Sequence, residues 1–192
     1  MTSSNGFTRE GKDSFVAVFG ASEREVLINL AEQLVEILAE RVDEIQGDPL
    51  AAMVGITGHD SPPDDEVLLR LLPNAYADPV DAAEFRRYTE SVLREKKRAH
   101  ALLLRSQLLN DQSSTVVLDD EAAQAWLGAM NDIRLALGVR LEVEGNSSEE
   151  FELLSPDDPK RGVYAVYSWL GWLQESLLHS LMDDGSSEES RR

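Results

Sequence analysis

The sequence predicts a mainly α fold, a helical bundle of four or five principal helices with a small N-terminal β-hairpin element. Apolar residues recur at intervals of three and four over long stretches, which is the pattern of helices with one buried face. No Gly or Pro occurs between Pro79 and Gly128. A chain of 192 residues is long enough for one domain with a large core.

The N-terminal hairpin is predicted from two β-prone segments, residues 7–9 and 14–19, on either side of the turn Glu10-Gly11-Lys12. Ser22 and Glu25 then have the spacing of a capping box. They predict a first helix that runs to about Ile45.

A short second helix is expected from Asp64 to Leu72, since Pro73 ends it. Asp78 followed by Pro79 predicts the start of the longest helix, about 32 residues or about 48 Å. Its residues at spacings of three and four form a seam that we expect to be packed. The seam consists of Phe85, Tyr88, Val92, Glu95, Ala99, Leu102, Ser106 and Leu109. Its polar and small members favour packing within the bundle over an intermolecular coiled coil, which remains the alternative.

Residues 115–118 are β-prone and are expected to add a strand beside the hairpin. Asp119 or Asp120 then caps the next helix, whose apolar stripe consists of Trp126, Met130, Ile133, Leu137 and Leu141. Residues 139–144 fit either the end of this helix or a strand. The last helix is predicted from about Lys160 to Met182, with leucines along one face.

One domain is predicted over residues 6–182, between a flexible tail at 1–5 and a disordered tail at 183–192. Acidic connections are expected at about 46–64 and 144–159, the second pinned to the core by Phe151, Leu153 and Leu154. The formal net charge is −18, and two segments, 42–69 and 142–158, hold seven acids each. These segments are either solvated connections or recognition surfaces for a basic partner, and the first interpretation is favoured.

Three polar residues, Asn131, Asp132 and Arg134, interrupt the apolar run Ala125 to Leu141. Their helix has apolar residues on two faces, so these side chains lie in partly buried positions where a charge needs a partner. We expect Asp132 and Arg134 to be paired within the fold. The three residues are therefore candidates for a structural polar network rather than for work on a substrate.

The long helix also concentrates seven of the 18 basic residues, and the same window, residues 84–105, holds three acids, Glu84, Glu90 and Glu95. These residues form a candidate basic partner surface: Arg86, Arg87, Arg94, Lys96, Lys97, Arg98 and Arg105. Contact with nucleic-acid phosphates is the rival interpretation, but the net charge opposes it and no helix-turn-helix spacing precedes the helix. The plainer interpretation is that the bases pair with acids on neighbouring helices.

The sequence offers no catalytic, cofactor or metal constellation. The three histidines, His59, His100 and His179, are dispersed, and no phosphate-binding glycine loop or nucleophile elbow occurs. The chain has no cysteine, which suits a reducing cytoplasm. No signal peptide is recognisable, and the most apolar stretch is too short to span a bilayer. We therefore expect a non-enzymatic cytoplasmic protein with no cofactor and no membrane contact.

The chain resembles an actinobacterial family catalogued as domain of unknown function two-zero-one-seven. The resemblance is carried by AWLGAMNDIRLALGVRL, VYSWLGWLQESLL and NAYADPVDAAEFRRYTESVLREKK, by Phe7 and Arg9, and by the helix from Ser22 to Leu38. It implies no established activity and no catalytic role for Asn131, Asp132 or Arg134. Some members carry a transcriptional-regulator label, and the family's genes often lie near that of the ClpS proteolytic adaptor.

The leading functional hypothesis is an interaction or regulatory protein with a protein partner, linked to regulated proteolysis by the family's genomic association. The alternative is a DNA-binding transcriptional regulator that uses the basic helix around residues 86–105.

Overall fold

The computed structural model describes residues 5–39, 60–110, 113–143, 151 and 153–183. Of the predicted tails, at 1–5 and 183–192, residues 1–4 and 184–192 lie outside these ranges, and so do residues 46–59, 144–150 and 152 of the two predicted acidic connections. Asn5, predicted as part of the tail, instead begins the first strand.

The described residues form a mainly α fold with a small antiparallel sheet, which confirms the predicted fold class. Its elements are β1 (Asn5–Arg9), β2 (Phe15–Val18), α1 (Ala21–Ile37), α2 (Glu66–Leu71), α3 (Pro79–Asn110), β3 (Thr115–Leu118), α4 (Asp120–Leu141) and α5 (Pro159–Met182). The bundle is centred on α4, which packs against α1, α2, α3 and α5.

The sheet has the order β1-β2-β3, and both neighbouring pairs are antiparallel. β3 pairs with β2 from Phe15 opposite Leu118 to Val18 opposite Thr115, which confirms the strand expected beside the hairpin. In the β1–β2 turn Gly11 has φ of 79°, a conformation that favours glycine.

The ends of α1 differ from the prediction. The N-cap is Gly20, whose backbone N–H donates to the Glu23 carboxylate at 2.7 Å. Glu23 follows Gly20 by the same three residues that separate Glu25 from Ser22, so the spacing alone could not distinguish the two starts. At the other end the helix stops at Ile37, before the predicted Ile45.

The sheet is held to the bundle by an aromatic cluster and by α5. The rings of Phe7, Phe19 and Trp126 lie 5.6–6.0 Å apart, and all three residues are buried. Phe7 N–H donates to Ser176 Oγ at 3.0 Å, and Ser180 Oγ donates to the Phe7 carbonyl at 2.8 Å. β1 is thereby fixed along α5, 169 or more residues away in sequence.

The helix α4 matches its prediction closely. Asp119 is the N-cap, and its carboxylate accepts from Ala122 N–H at 2.8 Å. All five residues of the predicted stripe are buried. The helix continues to Leu141 and ends at Glu142, which has φ of 56°. Residues 139–141 are therefore helical rather than extended.

The predicted seam of α3 lies on the wrong face. The helix has the predicted start and length, Pro79–Asn110. However, Phe85, Tyr88 and Val92 are 43%, 53% and 66% exposed. The face that packs on the bundle lies on the opposite side. It consists of Ala82, Arg86, Glu90, Arg94, Ala101, Leu104 and Leu108. Charged side chains thus occupy much of the buried face.

The second acidic connection is attached to the core by Phe151. This side chain is buried, and its ring stacks on that of Tyr164 with centroids 4.2 Å apart. Leu153, predicted to help, is exposed.

Candidate functional site

Asp132 forms an ion pair between α3 and α4. Its Oδ1 lies 2.5 Å from Lys97 Nζ, and only 1% of the residue is exposed. Asp132 Oδ2 is buried and has no hydrogen-bond partner in the described part of the chain. The aspartate is therefore compensated by one lysine, across the contact of the two helices.

His100 lies beside this pair. A Cβ atom added to Gly128 would lie 2.5 Å from His100 Nδ1, so α4 needs glycine there for the ring to pack. Burial lowers the pKa of His100 below its usual value, the charges of Lys96 and Lys97 lower it further, and Asp132 opposes them. His100 is thus held in its neutral form at neutral pH.

Arg134 points toward α5 and has neutral partners. Its NH1 donates to Gln174 Oε1 at 3.0 Å, its NH2 to Tyr167 Oη at 3.4 Å, and its Cζ lies 4.9 Å from the centre of the Tyr167 ring. Gly171 makes room, since a Cβ there would lie 3.3 Å from Arg134 Cζ. Asn131 is half-buried and takes no part in these contacts. The polar triplet is thus divided between two separate helix contacts.

The N-terminal half of α3 buries a ladder of charges. Arg86, Glu90 and Arg94 are 5%, 4% and 6% exposed. Glu90 Oε1 accepts from Arg94 NH2 at 2.7 Å, while Glu90 Oε2 pairs with Arg86 NH1. Arg86 NH2 also donates to the Leu72 carbonyl and to Asn74 Oδ1, at 3.0 and 2.8 Å. We call these three residues the buried ladder.

Two members of the predicted basic partner surface, Arg86 and Arg94, are largely buried, with 5% and 6% of the residue exposed. Three further members pair with acids: Lys97 with Asp132, Arg98 with Glu95 at 3.7 Å, and Arg105 with Glu32 of α1 at 2.7 Å. Arg87 and Lys96 are exposed. Lys97 and Arg105 pair with acids on neighbouring helices, in line with the plainer interpretation of the sequence, whereas Arg86, Arg94 and Arg98 pair with acids of α3 itself.

Glu90 is the residue that sequence reasoning missed. It lies four residues from both Arg86 and Arg94, and an acid at that spacing between two arginines is a recognisable signal for pairing along one helix face. That face is the buried one, so the same spacing also indicates which face of α3 packs on the bundle.

Two cavities flank this half of α3. The smaller, about 220 Å³, lies between α3 and the segment 72–75 and touches Arg86 and Glu90. The larger, about 570 Å³, lies between α3 and the C-terminal end of α1. It is lined by Leu38, Ala39, Ser91, Val92, Arg94, Glu95 and Arg98.

Several large apolar residues of α3 are exposed on its outer side. Phe85, Tyr88 and Val92 follow one another at spacings of three and four, and Val80 precedes them with 74% exposed. Tyr76 packs edge-on against Phe85 at 5.5 Å and is itself exposed. We call Val80, Phe85, Tyr88 and Val92 the exposed stripe.

Within the ranges that the structure covers, no three His, Cys, Asp or Glu side chains are grouped as metal ligands would be. No helix in the same ranges is both long and apolar enough to cross a membrane.

These observations define the class of protein. It is a mainly α bundle with a three-stranded sheet, in which one helix carries both the buried ladder and the exposed stripe. The chain belongs to the family described as Domain of unknown function (DUF2017), whose model matches residues 4–181.

The curated relatives are mycobacterial proteins of similar length. The "Oxidative stress regulator AosR" of Mycobacterium tuberculosis (strain ATCC 25618 / H37Rv) is 35% identical over 193 aligned positions, which cover 91% of this chain and 85% of that protein. The protein of the same name from Mycobacterium bovis gives the same values. The "Putative oxidative stress regulator AosR" of Mycobacterium leprae is 33% identical, over 88% of this chain and 82% of that protein. No solved structure matches the chain significantly.

Proposed function

We propose that this chain is a regulatory protein that acts by binding a protein partner through the exposed stripe of α3. The observation that carries the proposal is the reversed arrangement of this helix, with charges on its buried face and large apolar residues in solvent. Contiguous exposed apolar residues on a folded domain are typical of interaction sites. The regulatory part of the proposal is supported by the names of the mycobacterial relatives.

Protein binding is favoured over DNA binding by the charges. Of the seven bases once expected to face a partner, two lie in the buried ladder and three more pair with acids. The remaining surface belongs to a chain with a net charge of −18, which opposes approach to phosphates. A direct role in regulated proteolysis is supported by the family's genomic association alone.

The proposed regulator is not an enzyme and does not itself sense oxidants through a thiol. The 192 residues contain no cysteine, so they offer no disulfide or sulfenic acid chemistry. If the response named for the mycobacterial relatives extends to this chain, the oxidant acts on another molecule or on a residue other than cysteine. A cytoplasmic location is part of the proposal, because cysteine-free chains suit a reducing compartment.

The test compares capture of partners by the wild-type chain and by Tyr88→Glu, with quantitative mass spectrometry of a native lysate. The matched control is Leu178→Glu, which places the same charge at a leucine of α5 that is also about half exposed. We expect one partner to be retained by the wild type and the control and lost with Tyr88→Glu. The purified pair should then show a loss of at least ~2 kcal/mol, or roughly 30-fold in affinity.

Gel-shift measurements with promoter-length DNA at physiological salt complete the test. Tight, sequence-dependent DNA binding would contradict the proposal, and so would a set of captured proteins unaffected by Tyr88→Glu. Circular dichroism and thermal melting establish first that the three proteins are equally folded.

A further inference from the structure

The buried ladder carries more positive than negative charge. Two guanidinium groups share the carboxylate of Glu90, so among the residues that the structure describes one unit of positive charge is in excess in a cluster that is at least 94% buried. The further partners of Arg86, the Leu72 carbonyl and Asn74, are neutral. Burying a charge without a counter-charge is costly, so an additional anion would be stabilising here.

Arg94 is the member of the ladder with hydrogen-bonding capacity left. Its Nε is buried and has no partner in the part of the chain that the structure describes. The same residue lines the cavity of about 570 Å³ beside the C-terminal end of α1. That helix end supplies partial negative charge, equivalent to about half a unit, which leaves the excess only partly compensated.

A second cation reaches the cavity from the next turn of α3. Arg98 lies four residues after Arg94 and also lines the cavity. Its acidic partner is Glu95, which lies 3.7 Å away and also lines the cavity. This pair is exposed to solvent, with 40% and 69% of the two side chains accessible. Solvent-exposed pairs are weak, so Arg98 can exchange Glu95 for a ligand at little cost.

We propose that this cavity binds a small organic oxyanion, a phosphate or a carboxylate attached to an apolar group. Arg94 and Arg98 would hold the oxyanion, since guanidinium groups match both anions with paired hydrogen bonds. Ser91, one turn before Arg94 and Glu95, offers a hydroxyl. Leu38, Ala39 and Val92 form the apolar wall. The volume lies within the range of small-molecule sites, which combine apolar walls with a few convergent polar groups.

The experiment measures binding of phenyl phosphate, inorganic phosphate and benzoate to the full chain by isothermal titration calorimetry at constant ionic strength. The variants are Arg98→Gln, and Lys96→Gln as its control, which removes the same charge from an exposed site two residues away that does not line the cavity. We expect phenyl phosphate to bind more tightly than inorganic phosphate. Arg98→Gln should weaken it roughly tenfold or more and Lys96→Gln less than about twofold, because a hydrogen bond to a charged group is lost in the first alone.

Arg94→Lys tests the buried arginine without removing its charge. It should weaken binding too, because lysine lacks Nε and the planar fork. Benzoate binding as tightly as phenyl phosphate identifies a carboxylate as the ligand group, whereas weaker binding identifies a phosphate, and both support the site. Absence of binding for all three anions overturns the proposal. Equal losses of affinity in Arg98→Gln and Lys96→Gln also overturn the proposal, because they would show that the net charge of the chain, rather than a site, attracts the anion.

Discussion

Replacing Lys97 with methionine should strongly destabilise the fold, because it removes the one cation that pairs with Asp132 among the described residues. The Asp132 side chain is 2% exposed and that of Lys97 is 16% exposed. Asp132 Oδ2 already lacks a hydrogen bond among the described residues. The variant also removes the partner of Oδ1, so neither oxygen of this buried carboxylate keeps a partner among those residues. Breaking a buried pair from one side costs about 3–5 kcal/mol, and the partial exposure of Lys97 places the expected loss near ~3 kcal/mol.

The loss is measured by urea unfolding at neutral pH, followed by far-UV circular dichroism. A loss of about 3 kcal/mol corresponds to a Tm lowered by about 6–12 °C for a chain of this length. The double variant Lys97→Met with Asp132→Leu should recover most of it, because two apolar residues often replace a buried ion pair without loss.

The matched control is Arg105→Met, which breaks an ion pair between the same helix and α1. The Arg105 and Glu32 side chains are 37% and 44% exposed, so the expected loss is about 0–1 kcal/mol. If Lys97→Met cost no more than Arg105→Met, water would be screening the Asp132 carboxylate, and the inference from burial would be refuted.

Three further perturbations test neighbouring contacts. Glu90→Gln should cost about 3–5 kcal/mol in urea unfolding, because it leaves two buried guanidinium groups without a carboxylate, whereas Glu95→Gln at the surface should cost under about 1 kcal/mol. Gly128→Ala should destabilise by about 1–3 kcal/mol despite the higher helix propensity of alanine, and adding His100→Ala should remove most of this loss if the clash is with the imidazole. Because burial lowers the pKa of His100 in the folded chain, the unfolded chain takes up a proton at this residue at a higher pH than the folded chain does. The stability that neutral His100 contributes to the folded chain is therefore complete above about pH 6.5 and declines as the pH falls below that value. Between pH values of about 7.5 and 5.5 the wild type should lose more free energy of unfolding than His100→Gln.

The elements that local sequence determines were predictable. The start of α3 at Pro79, a cap at Asp119 or Asp120 and the apolar stripe of α4 follow from signals within a few residues. The structure confirms the start and the stripe, and it shows that Asp119 is the cap. The start of α1 was not predictable, because Glu23 follows Gly20 at the same capping distance at which Glu25 follows Ser22. Local chemistry thus specifies which elements form more reliably than which of two neighbouring residues begins them.

The contacts of the candidate site depend on residues far apart in sequence. Lys97 meets Asp132 across 35 residues, and Arg134 meets Gln174 across 40. A helix pattern shows that Asp132 and Arg134 must be satisfied, but it contains no information on which of many lysines or amides will do so. The packing of α4 against α3 and α5 selects these partners.

The orientation of α3 was missed for a different reason. Hydropathy patterns assume that the apolar side of a helix faces the core. Here the inward side of residues 86–97 is occupied by arginine, glutamate and lysine, which become compatible with burial by pairing with one another and with α4. The pattern therefore predicts burial for Phe85, Tyr88 and Val92, which are exposed.

This reversed arrangement connects the two proposed surfaces. Replacing buried ion pairs with apolar residues is often neutral or stabilising, so stability alone does not explain why α3 buries its charges. Farther along the same helix, Ala101, Leu104 and Leu108 pack on the core in the ordinary way. The reversal is thus confined to the N-terminal half. There it places an excess guanidinium charge beside a cavity and leaves Phe85, Tyr88 and Val92 outside. Both features would be absent if the helix were turned by half a revolution.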